Sequence, residues 1–535
     1  MSEIHKQVAE SSSFNLLTVY LSFIFGILNT FVLARLLAPE EWALLILTLA
    51  LINIAVFFCN LFPPNAQESI IYYIPYLKKK GNNEDVVKIN FIKHVYKIRI
   101  FSGLLILIIF LIITSLANFD FVLFQIILIM TPVIICKIFT ELNISVLRGF
   151  QKFKLVFIAS VLNHIIVTIS NFLIFTLKIE NPLIMVSYAF FIGALISFLV
   201  SMILALISIP LKKTLDKKEN NLQPIEKSNF YEIHKTYGSY LILADLFGLL
   251  SGLIVYLLFL EFEFIIFITY LTICQISVTS ALLFSSSNPR SYISIFSEID
   301  YEKNPKLYHN LFYKLNKFLM IFVCFIVGIM LFYIELYIVV IYSEIYLIIF
   351  RAIQIFLFTA FAHMIINNLM ILTQSTNNTK INAELEFIRM IFTIFVTFIA
   401  LIFFDFYFLI FFYLITSYMM TLIAVFLINK HTHLKLKPMI FFKPFFIFLV
   451  SFIITYPLNY VINYQEFDKA YLNFFVNGTL SFSAFVIVFY IISYFTKVIT
   501  KEEFDELVEI IPILRSKSII IKKLVKIIVK FLPSK

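Results

Sequence analysis

The chain has 535 residues, 61% of them hydrophobic and only 14% charged, with a formal net charge of +10. Soluble domains carry roughly a quarter of their residues as charge, so a water-soluble globule is excluded. The apolar runs do not alternate as the wall of a water-filled β-barrel must, which leaves a polytopic helical membrane protein.

About fourteen membrane-spanning helices are predicted along the chain. They fall at 14–36, 42–62, 98–117, 121–140, 155–177, 183–207, 235–260, 264–285, 312–334, 345–372, 385–404, 407–429, 445–463 and 472–495. The tenth is the longest, and its length predicts a tilt or a kink. The start, MSEIHKQVAESSS, is polar and the first apolar run is of spanning length, so no cleavable signal peptide is expected.

The basic residues sort by side. Loops after the second, fourth, sixth, eighth and twelfth spans carry Lys78, Lys79, Lys80, Arg148, Lys152, Lys212, Lys213, Arg290, Lys430 and Lys435. The opposite loops carry acids instead, among them Glu40, Glu41, Asp120, Glu180, Glu261, Glu263, Glu335 and Glu344. The positive-inside rule then places both termini in the cytoplasm, with a prokaryotic plasma membrane as the default location. Short basic loops against a bilayer attract anionic lipid, and nucleic acid is not an expected partner. The tail, SIIIKKLVKIIVKFLPSK, groups its lysines on one helical face and reads as an interfacial helix on the inner leaflet.

Two stretches echo each other. "FPPNAQESIIYYIPYLKKKGNNED" follows the second span and "SSNPRSYISIFSEIDYEKN" the eighth; "HVYKIRIFSGLLI" then answers "NLFYKLNKFLMIF". The order of features suggests two parallel six-helix repeats, an arrangement of transporters. The expected fold is therefore all-α integral membrane: two six-helix lobes around a central cavity plus a C-terminal helix pair. The boundaries are 1–207 for the N-terminal lobe, 208–234 for a cytoplasmic linker and 235–429 for the C-terminal lobe. The extra pair takes 430–495 and the basic tail 496–535.

No catalytic or metal-binding motif is visible, no cofactor is expected, and a G-x-x-x-x-G-K-[ST] phosphate loop is missing. The four cysteines lie in apolar runs without a CxxC, as packing residues do. Charged residues inside spans are functional candidates by default. Arg35 ends the first span: it either meets phosphate at the outer mouth or satisfies last-turn carbonyls and pairs with Glu40 or Glu41. Asp245 lies roughly 15 Å into the seventh span, as a proton, sodium or gate site or as a hydrogen-bonded packing residue. Arg351 either contacts phosphate or pairs with Glu344 or Glu335. Lys137 with Glu141, and Glu386 with Arg389, read as local helix pairs. His164 and His363 sit mid-span, as packing residues or proton relays. Asn29, Asn163, Asn367 and Asn368 either line a sugar path or bond between helices. Arg35, Arg351 and Asn29 are the substrate-binding candidates; Asp245 and His164 are those for ion coupling or gating.

The chain resembles the flippases and exporters of the polysaccharide-biosynthesis family, within the multidrug/oligosaccharidyl-lipid/polysaccharide superfamily. The resemblance rests on "FVLARLLAPEEWALLIL", "LRGFQKFK", "YLTICQISVTSALLFSSSNPRS" and "YSEIYLIIFRAIQIFLF", in that order. It implies transport of a lipid-linked oligosaccharide or polysaccharide precursor from the cytoplasmic to the outer leaflet by alternating access, coupled to H+ or Na+ if energy is needed, with no covalent chemistry. The alternatives are a cation-coupled drug exporter of the same superfamily, an energy-independent scramblase, or an integral-membrane glycosyltransferase or polymerase. The short outward loops count against the last.

Overall fold

The computed structural model describes residues 3–61, 67, 70–71, 84–117, 119–209, 239–286, 305–376, 378–403, 405–431, 436, 438–460, 470–498 and 500–502. The predicted linker at 208–234 and the basic tail lie almost wholly outside them. Among the described residues all regular structure is helical. Eleven segments are long and apolar enough to cross a bilayer. Glu344–Leu357 and Thr359–Gln374 form a further span bent by 43°, and Ile266–Leu282 and Phe442–Leu458 are apolar but shorter. Each of these coincides with one of the predicted segments.

The chain divides into two compact units. Unit 1 holds Met1–Thr269 and Asn382–Phe398; unit 2 holds Tyr270–Ile381 and Ile399–Lys535.

Unit 1 contains α1 (Glu3–Leu36), α2 (Pro39–Asn60), α3 (Glu84–Leu116), α4 (Phe121–Met130), α5 (Pro132–Gly149), α6 (Phe153–Leu177), α7 (Pro182–Ser208) and α8 (Ser239–Glu261). Prolines open α2, α5 and α7, where their missing N–H costs nothing and their fixed φ suits the first turn. The Glu41 carboxylate accepts the Ala38 N–H at 3.0 Å and caps α2. Pro132 interrupts the ladder between α4 and α5, and the Thr131 hydroxyl donates to the Ile127 carbonyl at 2.7 Å beside the break. α6 and α7 form a tight hairpin whose turn places Lys178 and Asn181 at φ of 48° and 53°. The two helices approach so closely that a Cβ on Gly193 would lie 2.5 Å from Val167 Cγ2. α1 packs along α6, α7 along α5, and α8 against α2.

Unit 2 contains α9 (Ile266–Ser286, from Tyr270 on), α10 (Pro305–Phe332), α11 (Ile334–Ile341), α12 (Phe350–Leu357), α13 (Thr359–Ser375), α15 (Phe406–His431), α16 (Pro438–Thr455) and α17 (Ala470–Phe495). Between α13 and α15 runs α14 (Lys380–Ile402), whose residues 382–398 belong to unit 1. The 43° bend separates α12 from α13 at Phe358. A bend frees carbonyls that lipid cannot satisfy, so protein must. Here the Tyr418 hydroxyl of α15 donates to the Phe358 carbonyl at 3.0 Å, and Thr359 Oγ1 donates to that of Phe356 at 2.7 Å.

The C-terminal pair α16 and α17 packs on α10 through aromatic rings. Phe332 lies 5.5 Å from Phe452 and 5.6 Å from Phe485, and Phe448 lies 5.4 Å from Phe485. Glycines admit these rings. A Cβ on Gly328 would meet Phe485 at 2.8 Å, and one on Gly478 would meet Tyr333 at 2.9 Å. The pair is thus part of the unit 2 core. All four cysteines are buried and unbridged, as their apolar settings predict.

Candidate functional site

Unit 1 buries polar and charged side chains at membrane depth, and helix geometry decides which of them meet. On α3, Arg99 is 1% exposed, and its Nη1 donates to the Cys59 carbonyl near the end of α2. The negative charge acting on it belongs to Glu141 of α5. Glu141 in turn accepts from Gln67 Nε2 at 2.8 Å, and that amide also reaches Asn60 Oδ1 at 3.3 Å. One turn earlier on α5, Lys137 Nζ donates to Asn53 Oδ1 of α2 at 2.6 Å. The expected Lys137–Glu141 pair is therefore not formed. Both residues reach across to other elements, because the face of α5 that carries them packs on α2.

A second chain of bonds ties three helices. The Tyr96 hydroxyl donates to Asn143 Oδ1, Asn143 Nδ2 donates to Ser201 Oγ at 3.0 Å, and Ser201 donates to the Phe198 carbonyl at 2.9 Å. Such bonds are worth about 0.6 kcal/mol each in a membrane interior, with a spread to about 2.

The acid singled out from the sequence, Asp245 on α8, finds company on α14. Glu386 is 7% exposed and pairs with Arg389 at 2.5 Å, the local i,i+3 contact expected from the spacing. The grouping is wider than that pair. Asp245 acts electrostatically on Glu386, and a Cβ on Gly248, one turn along α8, would lie 3.7 Å from Glu386 Oε2 and 3.8 Å from an Arg389 nitrogen. Phe247 and Phe387 hold α8 against α14, with ring centroids 5.1 Å apart. Asp245, Glu386 and Arg389 together carry one negative charge in excess. A proton or a monovalent cation neutralises it, and its loss restores the repulsion.

The remaining candidates lie apart from that triad. Arg35 Nη1 donates to the Phe31 carbonyl at 3.1 Å and the guanidinium stacks 3.9 Å from the Phe31 ring centre. Of its two expected partners, Glu40 and Glu41, the second is engaged in the α2 cap. Asn29 accepts from Asn171 Nδ2 at 2.8 Å, which joins α1 to α6. His164 of α6 is exposed and within electrostatic range of Lys137. In unit 2, Arg351 is exposed with its guanidinium 5.6 Å from the Phe350 ring centre. Among the described residues no carboxylate lies within ion-pair distance of it. Asn368 donates to Asn316 Oδ1 at 2.8 Å inside the helix packing, whereas Asn367 is exposed.

Sequence reasoning missed Arg99, which reads as one of several basic residues leading into the third span. It also missed that Asp245 comes within electrostatic range of Glu386, since no local pattern links positions so far apart in the chain. Among the described residues no group of three or more His, Cys, Asp or Glu side chains comes together to hold a metal ion.

A helical fold of this span count, with charged groups buried within apolar segments, is that of a polytopic membrane protein. Solved structures agree. The chain superposes on the structure described as lipid II flippase MurJ, inward closed conformation, with a TM-score of 0.63 and 16% identity. That match covers 89% of this chain and 98% of the flippase. An inward-facing multidrug resistance MATE family transporter of the MOP superfamily matches with a TM-score of 0.58, 13% identity and coverage of 77% and 96%. A MOP superfamily transporter from Pyrococcus furiosus, described as having a binding pocket of reversed polarity, matches at 0.53, 13% identity, 78% and 94%. The fold is therefore the one shared by these transporters. No family model matches the sequence, and no curated protein matches it.

Proposed function

We propose that the protein is a flippase that moves a lipid-linked oligosaccharide or polysaccharide precursor from the cytoplasmic to the outer leaflet by alternating access. The sugar head cannot cross hydrocarbon alone at tolerable cost, so a polar path must stand in for its hydration. The observation that carries the reading is the set of charged and amide side chains held at membrane depth in unit 1, on a fold shared with a lipid II flippase. On this reading the Asp245–Glu386–Arg389 triad is the coupling or gating element. Taking up H+ or Na+ relieves its excess negative charge and biases one conformation over the other. Arg35 and Arg351, one near an end of its span and the other exposed, meet the anionic part of the cargo, with Asn29 beside its path. His164 belongs with the gating groups. The plasma membrane, cytoplasmic termini and anionic lipids at the basic loops complete the proposal.

A second reading, a cation-coupled exporter of small molecules, draws on the same triad and on the likeness to MATE transporters. One experiment separates the two. In cells lacking the protein, lipid-linked oligosaccharide is extracted and its leaflet determined with a glycan-modifying enzyme on sealed vesicles of known orientation. Accumulation on the cytoplasmic leaflet, relieved by the wild-type gene, supports the flippase. A normal distribution removes that reading and leaves the exporter.

A further inference from the structure

Unit 2 holds one segment between two unlike breaks. The 3-10 turn Glu344–Ile349 and α12 run from Ser343 at one end to Phe358 at the other. Ser343 has φ 111° and ψ 166°, a region open to glycine and costly to any other residue. Its backbone is tied on both sides. The N–H donates to the Ile338 carbonyl of α11 at 3.0 Å, and the carbonyl accepts the Tyr346 N–H at 3.2 Å. Its hydroxyl oxygen is buried with no hydrogen-bond partner among the described residues, so the side chain gives nothing back for the strain. At the other end the span bends by 43°, with no proline anywhere from 344 to 374. The break in unit 1 is fixed, because the ring of Pro132 forbids the missing bond. The bend at Phe358 has no such lock.

Side chains hold the segment between its breaks. The Tyr407 hydroxyl donates to the Ile348 carbonyl at 2.6 Å, and the Tyr418 hydroxyl to the Phe358 carbonyl at 3.0 Å. Both tyrosines stand on α15, about three turns apart. Gln354 Nε2 donates to the hydroxyl of Tyr456, in the 3-10 turn after α16, at 3.2 Å. α12 buries Ala352, Ile353, Phe356 and Leu357 and leaves Arg351 exposed. Single hydrogen bonds of this kind are weak in a membrane protein. A residue other than glycine stays at such a φ only where its surroundings over-determine it. Strain at one end therefore works against latches along the rest.

We propose that residues 344–357 form a strap that lifts off α15, with Ser343 and Phe358 as its hinges, the strain favouring lifting and the three tyrosine hydroxyls opposing it. Lifting carries Arg351 and Gln354 with it. The device is built from contacts inside unit 2 and rests on neither transport reading.

The test reads thiol exposure in the full-length protein in maltoside micelles. Ala352 is 0% exposed, and Ala352→Cys places a thiol on the packed face of the strap. The native cysteines are all buried and report global unfolding in the same sample, with intact mass counting the maleimides added. The added thiol reacts ahead of the native ones, through local opening. Tyr407→Phe and Tyr418→Phe each raise its rate about threefold, the loss of one membrane hydrogen bond. Ser343→Gly, unstrained at that φ, slows it about fivefold or more. Ser343→Ala keeps the strain, loses only the hydroxyl and leaves the rate unchanged. Reaction of the added thiol only in step with the native ones overturns the proposal. So does a rate for Ser343→Gly equal to or above that of the parent, and so does an equal slowing by Ser343→Ala, which would assign the effect to the hydroxyl. Should Ala352→Cys fail to fold, Ile353→Cys, smaller than the residue it replaces and at a position also 0% exposed, is read the same way.

Discussion

Unit 1 and unit 2 hold themselves together by different means. The interior of unit 1 is threaded by charged and amide groups: Arg99, Glu141, Lys137, Asn143, Glu386 and Arg389. That of unit 2 is a stack of aromatic rings around Phe332, Phe448 and Phe485, with Asn316 and Asn368 as a buried amide pair. In a bilayer no hydrophobic effect draws one helix to another, since lipid tails are as apolar as leucine. Unit 2 therefore depends on shape fit. Unit 1 accepts the cost of polar groups, about 2.5–3.5 kcal/mol for a lone charge at mid-bilayer on the insertion scale, and recovers part of it by pairing. A protein retains such cost where it needs the chemistry. The difference concentrates buried charge in unit 1 and aromatic packing in unit 2.

This contrast can be broken in several ways. The largest expected effect is on transport. Asp245→Asn and Arg35→Ala abolish movement of cargo in the leaflet assay while the chain still inserts and elutes as a folded species. Normal surface glycan in both variants would leave these residues with a packing role alone. Next is Arg99→Met, which leaves the Cys59 carbonyl without the donor it has on α3. Leaving a buried acceptor without its donor costs about 1–3 kcal/mol, so the melting temperature of the solubilised protein drops. An unchanged melting temperature would show that unit 1 does not rest on its charges. Overpacking unit 2 by Gly478→Ala costs about 1–3 kcal/mol. Its new methyl would meet the Tyr333 ring and the Phe332 carbonyl, which cannot turn aside. Gly328→Ala costs less, because only the Phe485 ring stands in its way. The smallest effects come from matched deletions, Tyr96→Phe in unit 1 and Tyr418→Phe at the unit 2 bend. Each is expected to cost about 0.6 kcal/mol on heating. A much larger loss for Tyr418→Phe would mean that the bend, rather than the ring stack, limits unit 2.

Much of the fold was legible in the sequence, because spanning length and apolarity leave few alternatives. Even the kinked tenth span could be read from its excess length. What the sequence does not carry is which helices meet. Lys137 and Glu141 satisfy the i,i+4 rule, yet each bonds across to a different residue, because their shared face of α5 packs on α2. Asp245 stood out as a deep acid, but its neighbours on α14 belong to a pair that looks self-contained at i,i+3. Arg99 sits where a basic flank is expected, and only its burial separates it from the lysines around it. The C-terminal pair reads as an addition to twelve helices, and only glycines at 328 and 478 hint at the rings that lock it to α10.

The close approach at Gly193 has a consequence for how the chain is made. α6 and α7 are consecutive, joined by a turn of a few residues, and meet along a seam that tolerates no side chain at that point. They can close on each other as soon as both have left the ribosome, before any partner from later in the chain exists. A bulky residue at position 193 would then be felt during synthesis. Gly193→Leu should expose a protease-sensitive hairpin in chains truncated just after α7, whereas the wild-type hairpin of the same length is already closed.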